Sequence, residues 1–208
     1  MTVALVVGGI GLCSVTGLCV VFGFAFKQGI DAALKDAGPS EIVTSRDGLI
    51  SIDPQGAMVT STTLDEEAPL QLWNPREELY LLGLSEPKAD LEAGTTLERY
   101  GTLITEGMMV ESRTIGAASP VTVGGRPAFE YRVAGRMNDL DVVYWVTVVE
   151  SEQYFHQLTG WTMTSRETRH APTMRRVVAS AQVRSTPEAR PAGRPAHPAA
   201  ASPATAVP

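Results

Sequence analysis

The chain has 208 residues, of which 44% are hydrophobic, and 17 Lys and Arg stand against 23 Asp and Glu for a formal net charge of −6. This length suits one domain of ordinary size with further segments around it. The acidic balance argues against nucleic-acid binding over most of the surface. No cysteine follows residue 19, so the larger part of the chain gives no redox clue to its compartment.

An uncharged apolar run opens the chain, and we expect residues 3–26 to form a transmembrane anchor in the lipid bilayer. About 20 apolar residues in a helix cross the roughly 30 Å hydrocarbon core of a bilayer. A cleaved signal peptide would have a basic segment before a shorter apolar core, whereas the first basic residue here is Lys27. Cleavage after Ala25 remains the alternative. A dinucleotide-binding glycine turn does not fit, because the residues after Gly11 are apolar on every helical face.

Small residues recur four apart within this run, at Gly9, Cys13 and Gly17. Such a face lets two membrane helices approach closely, so it is a candidate packing face for a homodimer, although glycines are common in membrane helices in general. Basic residues follow the run and none precedes it, which by the positive-inside rule favours a cytoplasmic C-terminal side. Because acidic residues interleave with Lys27 and Lys35, the sequence leaves the side of the membrane open.

Composition divides the rest of the chain into three parts. Residues 27–47 contain turn formers and a short helix-prone stretch, and we interpret them as a juxtamembrane linker. Residues 48–185 carry the aromatics, alternating patterns and turn signals of one folded domain. Residues 186–208 hold six prolines and eight alanines with almost no large apolar side chain. We expect this tail to be disordered, since it cannot bury enough surface to offset the entropy of ordering.

Short β-prone runs open the domain, at residues 49–52, 57–63, 70–73 and 79–85, and turn-forming residues separate them. They predict successive antiparallel strands. The sequence Thr95-Thr96-Leu97-Glu98 then has the pattern of a capping box. A helix of about four turns should follow, because one stripe repeats at helical spacing. The residues of that stripe are Leu97, Tyr100, Ile104, Met108 and Glu111.

The second half of the domain predicts hairpins and a further helix. Gly124-Gly125 and Asn138-Asp139 lie between β-prone runs, as in tight turns that need positive φ. Residues 141–149 are apolar on both alternating faces, which predicts a central strand covered on both sides, and residues 153–162 should pair with it. A helix with one apolar face should begin near Pro172. This order predicts an α+β fold, an αβα sandwich with a mostly antiparallel sheet.

Several of these stretches together resemble the PsbP-like superfamily, which includes the photosystem II extrinsic subunit and the Ran-binding Mog protein. The resemblance covers about residues 48–183, and the chain departs from the family at 56–58, Gly-Ala-Met, where a tryptophan is usual. The stretches that carry it are residues 52–54, 125–131, 141–144 and 154–162, the helix at Thr95 and the closing helix to Ala181. The resemblance implies an exported or membrane-attached bacterial protein of unassigned role that acts as a binding or assembly factor and not as an enzyme. Together with the apolar segment 3–26, we expect a single-pass protein of the bacterial inner membrane.

Residues that could carry chemistry are few in the domain. His156 and His170 are its only histidines, and neither has a second histidine or a cysteine at the spacing of a zinc site. We expect a strand histidine at 156 and a solvent-facing or helix-entry histidine at 170. The acidic runs 65–67 and 77–78 lack the spaced loop of a calcium site and fit solvated turns. No serine lies in a Gly-x-Ser-x-Gly elbow and no phosphate loop is present, so we predict no catalytic, cofactor-binding or metal-binding residue.

Charge is distributed unevenly along the domain. Residues 48–152 contain 17 acidic and 7 basic residues, a local net charge of −10, whereas five arginines and one glutamate give residues 166–184 a charge of +4. Such asymmetry can steer a charged protein partner. The alternative is that Arg175 and Arg176 merely cover the outer face of the last helix and pair with the acidic body of the same domain. The candidate partner surface consists of Arg169, Arg175, Arg176, Glu66 and Glu67.

Two hypotheses follow from the sequence. The first is a membrane-tethered, non-catalytic binding or assembly module that contacts a protein partner through one of these charged surfaces. The second is a small-ligand carrier, or an enzyme, whose site is built from residues that form no linear motif. A closed apolar pocket with convergent polar groups would favour the second.

Overall fold

The computed structural model describes residues 41–186. Eleven β-strands, two α-helices and two 3-10 turns lie in this range. The strands are β1 (Val43–Thr44), β2 (Ile50–Ile52), β3 (Val59–Thr60), β4 (Leu70–Asn74), β5 (Leu79–Pro87), β6 (Glu111–Ile115), β7 (Ser119–Val123), β8 (Arg126–Met137), β9 (Leu140–Glu150), β10 (Tyr154–Met163) and β11 (Gln182–Val183). The helices are α1 (Leu97–Gly107) and α2 (Glu167–Ala179), and the 3-10 turns are η1 (Lys88–Asp90) and η2 (Thr164–Arg166).

Eight strands form a large sheet in the order β3-β4-β5-β10-β9-β8-β6, and β7 also pairs with β8. The short strands β1, β2 and β11 form a second sheet in the order β1-β2-β11. Neighbouring strands in both sheets run antiparallel. The predicted α+β class with a mostly antiparallel sheet is confirmed.

Strand β9 lies inside the large sheet, between β8 and β10, and its residues 142–149 are all buried. Alternate side chains of a strand point to opposite faces, and here they enter two separate cores. Trp145 packs in the core that contains Met174 of α2. Tyr144 packs in the core that contains Tyr100 of α1. One helix therefore covers each face of the sheet, and we name these the α2 face and the α1 face.

Tight turns close two of the long hairpins. Gly124 and Gly125 have φ values of 55° and 78°, and they join β7 to β8. Asn138 and Asp139 have φ values of 51° and 65°, and they join β8 to β9. Two consecutive residues with positive φ match the right-handed twist of the paired strands. Both predicted turns are confirmed.

Helix α1 is shorter than predicted and begins one residue later than the capping box implied. Thr96 is the capping residue, and its hydroxyl accepts a hydrogen bond from the backbone N–H of Arg99 at 3.2 Å. The helix ends at Gly107, and Glu111 begins β6 instead of a fourth turn. The Arg113 side chain reaches back from β6 and donates to three carbonyl oxygens at or just beyond the end of the helix, at 2.7–3.1 Å. A cation at this end complements the helix dipole and satisfies carbonyl groups that have no partner within the helix.

Helix α2 begins at Glu167, five residues before Pro172. The proline is the sixth helical residue, so the prediction that the helix starts beside it is wrong. Pro172 removes the hydrogen bond to the Thr168 carbonyl and brings its ring against that carbonyl, yet the helix continues through it. Glu167 accepts two hydrogen bonds from Arg132 of β8, at 2.5 and 2.6 Å. The predicted apolar face is confirmed, because its four members are buried: Met174, Val177, Val178 and Ala181.

The small sheet includes residues that the sequence assigned to the linker. Val43 and Thr44 pair with β2, and the turn after them is closed by a 2.8 Å hydrogen bond from Ser45 N to the Ile50 carbonyl. Strand β11 pairs with the other side of β2. The ordered fold therefore begins before residue 48. The predicted anchor with Gly9, Cys13 and Gly17, and nearly all of the predicted tail, lie outside the described residues.

Helices in the described range are short. None of those between residues 41 and 186 combines the length and apolar character needed to cross a bilayer.

Candidate functional site

His156 of β10 is fully buried between two serine hydroxyls. Ser85 Oγ lies 2.9 Å from its Nδ1, and Ser151 Oγ lies 2.9 Å from its Nε2. Burial lowers the pKa of His156 to about 4, so the ring is neutral near pH 7. Both nitrogens are engaged and the side chain has no access to solvent. The predicted strand histidine thus ties β5, β10 and the β9–β10 turn together.

His170 lies in the first turn of α2, so the helix-entry alternative is confirmed, and it is buried, so the solvent-facing alternative is wrong. Its Nε2 lies 3.5 Å from Glu77 Oε2 in the β4–β5 turn. Burial lowers the pKa of His170, and the neighbouring Glu77 carboxylate opposes that shift. Arg169 donates to the other Glu77 oxygen at 2.8 Å. Within residues 41–186, no group of three or more His, Cys, Asp or Glu side chains could hold a metal ion.

The arginines of α2 mostly neutralise acids of their own domain. Arg169 pairs with Glu77, and Arg175 Nη2 lies 3.1 Å from Oε1 of Glu130, which is itself buried in β8. Arg176 is different, because it is exposed and donates to the hydroxyl of Thr173 at 3.4 Å, with no ion pair to a described residue. The structure therefore shows the internal pairing of the alternative for Arg175 but not for Arg176, and it shows a further internal pair for Arg169.

Glu66 and Glu67 lie on the other side of the sheet from these arginines. Their loop packs Leu64 and Ala68 into the core on the α1 face. The structure thus does not bring the two halves of the predicted partner surface together. Both carboxylates are exposed, and neither forms an ion pair within the described range.

The acidic loop, residues 61–68, is shaped by neutral hydrogen bonds from the buried side chain of Gln71. Gln71 Oε1 accepts from the backbone N–H groups of Leu64 and Asp65 at 2.9 and 3.2 Å. Its Nε2 donates to the carbonyls of Asp65 and Ala68. The Asp65 carboxylate accepts from the backbone N–H groups two and three residues later, at 2.8 and 3.3 Å. One strand side chain therefore satisfies four backbone polar groups of the loop.

Arg46 ties the acidic loop to the small sheet. It lies in the turn after β1, and its Nη2 donates to the carbonyls of Glu66 and Ala68 at 2.8 and 2.9 Å. Its backbone N–H also donates to the Pro69 carbonyl at 2.9 Å. These three bonds hold the backbone carbonyls of Glu66, Ala68 and Pro69, while the Glu66 side chain is exposed to solvent. The loop therefore presents its charges on a rigid support.

A cleft of about 190 Å³ opens beside the acidic loop, and we name it the β1–β3 cleft. The edge strands of the two sheets line it together with the start of β4. Its lining residues are Val43, Thr44, Arg46, Thr60, Ser61, Thr62, Pro69, Leu70 and Gln71. A second, open depression of about 290 Å³ lies on the sheet near β6 and η2, where Thr114, Arg136 and Thr164 line it. Neither cavity is a closed apolar pocket.

Sequence reasoning identified the acidic residues of this site but missed the residues that support them. Gln71 lies between two leucines of a strand, which a period of two assigns to a solvent face, whereas it is buried. Arg46 and Thr44 fell in the predicted linker, and Thr60 was one of several threonines in a predicted strand. The one available signal was an amide side chain next to an acidic turn, because amides can satisfy turn backbone groups.

Comparison with known proteins shows the fold and no more. No protein-family model and no curated protein sequence matches the chain. The cyanobacterial PsbP of Synechocystis is similar in structure, with a TM-score of 0.51 at 13% identity over 72% of this chain and 96% of that protein. A Bacteroides thetaiotaomicron protein has a TM-score of 0.51 at 11% identity over 71% of this chain. This chain spans about half of that protein, 49% of its length. The chain therefore has a PsbP-like fold.

Proposed function

We propose that this protein is a membrane-tethered, non-catalytic binding or assembly module that contacts a protein partner through the acidic loop, residues 61–68. The tether in this proposal is the apolar segment 3–26, and the loop lies in the domain that follows it. The PsbP-like fold is compatible with such a role, since folds of this kind carry function in surfaces grafted onto a common scaffold.

The observation that supports the proposal is the unequal use of charge on the two faces. On the α2 face, arginines meet carboxylates of the same domain, as in the contacts of Arg169 with Glu77 and of Arg175 with Glu130. At the acidic loop, Glu66 and Glu67 are exposed on a fixed backbone and have no described ion-pair partner. Charges that add nothing to folding and are nevertheless positioned rigidly fit the recognition of a basic partner.

The use of titratable side chains also favours binding over catalysis. A general base must lie within hydrogen-bond reach of the proton that it removes. His156 has no solvent access and both of its nitrogens are engaged, and His170 is buried against Glu77. These histidines stabilise contacts between strands and helix in this proposal and do not act on a substrate.

Affinity purification from native membranes tests the proposal. Full-length tagged protein should recover a stoichiometric partner, and the double variant Glu66→Lys/Glu67→Lys should lose most of it, because charge reversal repels a basic surface. Arg176→Glu is the control, since it reverses an exposed charge on the opposite face. Repeated recovery of no partner would sink the proposal. Loss of the partner in the Arg176 variant alone would move the binding surface to α2.

A further inference from the structure

The two sheets turn unpaired backbone toward the same cleft. In an antiparallel ladder, hydrogen-bonded pairs alternate with pairs whose N–H and C=O groups point away from the partner strand. Ser61, directly after β3, donates its N–H to the Gln71 carbonyl at 2.9 Å, so the preceding residue, Thr60 of β3, directs its backbone groups outward. Ser45 N donates to the Ile50 carbonyl at 2.8 Å, so Thr44 of β1 does the same.

Both of these threonines line the β1–β3 cleft. Strand β1 is an edge of the small sheet and β3 is an edge of the large sheet, and neither pairs with any further strand in the described range. The backbone groups of Thr44 and Thr60 form no hydrogen bond there with a residue of 41–186. A cleft with strand edges on two sides offers main-chain pairing to an extended segment, which is how many domains bind peptides.

Charge indicates the chemistry of that segment. Glu66 and Glu67 lie on the loop beside the cleft, and neither forms an ion pair with a residue of 41–186. Arg46 also lines the cleft, but its guanidinium donates to two loop carbonyls. These bonds to neutral carbonyls hold the guanidinium in place without cancelling its charge. The three carboxylates of residues 65–67 outnumber it, so the net charge beside the cleft is acidic and complements Lys or Arg side chains.

We infer that the partner contributes an extended segment, bearing Lys or Arg, which pairs as a β-strand with the Thr44 and Thr60 edges and places its basic side chains against Glu66 and Glu67. This inference rests on the proposed function and specifies its binding mode. Main-chain pairing supplies affinity in this mode, and the two carboxylates supply selectivity.

Proline substitution tests the pairing directly. Thr60→Pro removes an outward N–H and leaves the bonds of β3 to β4 intact, as an edge strand permits. Partner recovery from native membranes should fall about tenfold, because a backbone hydrogen bond is lost and the ring occupies its path. Ile115→Pro is the matched control. Gly116 N donates to the Arg132 carbonyl at 2.8 Å, so Ile115 has an outward N–H on the opposite edge of the large sheet.

The controls separate this inference from the proposed function. Circular dichroism and thermal unfolding establish that each variant folds, and Thr44→Pro, on the facing edge, replaces Thr60→Pro if the latter does not. A partner that is recovered equally by wild type and by a folded Thr60→Pro variant would overturn the strand-pairing mode and leave the proposed function standing. Recovery of no partner by the wild type would overturn both.

Crosslinking identifies the occupant. A photoreactive residue at Thr62, which is exposed at the cleft, should crosslink to a Lys- or Arg-bearing segment of the partner, and the same residue at Ile115 should not. Mass spectrometry of the crosslinked peptides reads out the segment. Crosslinks to an acidic segment, or to residues 1–40 of the same chain, would contradict the inference. Equal yields at both positions would contradict it as well.

Discussion

The α2 face and the acidic loop use polar groups in opposite ways. Around α2, charged side chains meet one another or are buried, as in the contacts of Arg175 with Glu130 and of His170 with Glu77. In the loop, a neutral amide and one guanidinium bind the backbone, and the carboxylates of Glu66 and Glu67 are left to solvent. The difference is that the α2 face uses its charges in contacts within the domain, whereas the acidic loop leaves two carboxylates without an ion pair in the described range.

The largest expected effect concerns acid sensitivity on the α2 face. The pKa of His156 is lowered from 6.5 to about 4 in the folded protein, chiefly by burial. As the pH falls below 6.5, the His156 side chain therefore binds a proton in the unfolded chain but stays neutral in the folded protein until about pH 4. The stabilisation is fully present above pH 6.5 and is lost progressively down to about pH 4, by about 3 kcal/mol.

Urea unfolding between pH 7 and pH 4 measures this loss. Wild type should lose about 3 kcal/mol more than His156→Gln over the same interval, because glutamine does not titrate in this range. The titration of the carboxyl groups contributes equally to both proteins. The absolute stability of the variant should be lower at pH 7. Parallel curves for the two proteins would contradict the role assigned to His156.

The second effect lies in the acidic loop. Gln71→Ala removes four hydrogen bonds to the loop backbone and leaves buried polar groups without partners. We expect a loss of about 2 kcal/mol and faster amide exchange in residues 61–68. Gln157→Ala is the matched control, because this glutamine also lies in a strand but binds only the Thr159 hydroxyl, at 2.7 Å. Equal losses in both variants would show that Gln71 does not organise the loop.

The elements of the fold whose residues form a periodic pattern or a turn signal were predictable from the sequence. Strand β9 was recognisable because it is apolar on both alternating faces, and Gly124-Gly125 because few other pairs adopt two positive φ angles. Strands β1 and β11 were not, since two-residue strands have no periodicity. Both exist through pairing with β2, which is close in sequence for β1, as in Thr44 with Ser51, and far away in sequence for β11, as in Gln182 with Ser51.

The candidate site was predictable only in its charges. An acidic run such as 65–67 is recognisable in any sequence, but its rigidity depends on Arg46 and Gln71, and neither contact follows from local spacing. For the arginines of α2, the charges were equally recognisable, but the prediction from them was not confirmed for two of the three. Their clustering suggested a binding surface, whereas Glu77 and Glu130, far away in sequence, reach Arg169 and Arg175 and neutralise them. Tertiary pairing therefore decides which charges remain available.

The smallest effect gives the sharpest comparison, because the chain contains two adjacent glutamate pairs. Glu77 and Glu78 contact Arg169, His170 and Arg166, whereas Glu66 and Glu67 have no such partners in the described range. Neutralising the first pair as Glu77→Gln/Glu78→Gln should cost about 1 kcal/mol, since these ion pairs are only partly buried. Neutralising the second pair as Glu66→Gln/Glu67→Gln should change the free energy of unfolding by less than about 0.5 kcal/mol.

Thermal unfolding and partner recovery should each change in only one of the two double variants. The 77/78 variant should unfold at a lower temperature and still recover its partner. The 66/67 variant should keep its stability and recover less partner than wild type at low salt, with a weaker dependence of recovery on the salt concentration, because the attraction that salt screens is already lost. If both variants lose the partner equally, the two faces do not divide stability from binding. If the 66/67 variant is the less stable one, its carboxylates belong to the folding contacts and the acidic loop is not a surface reserved for a partner.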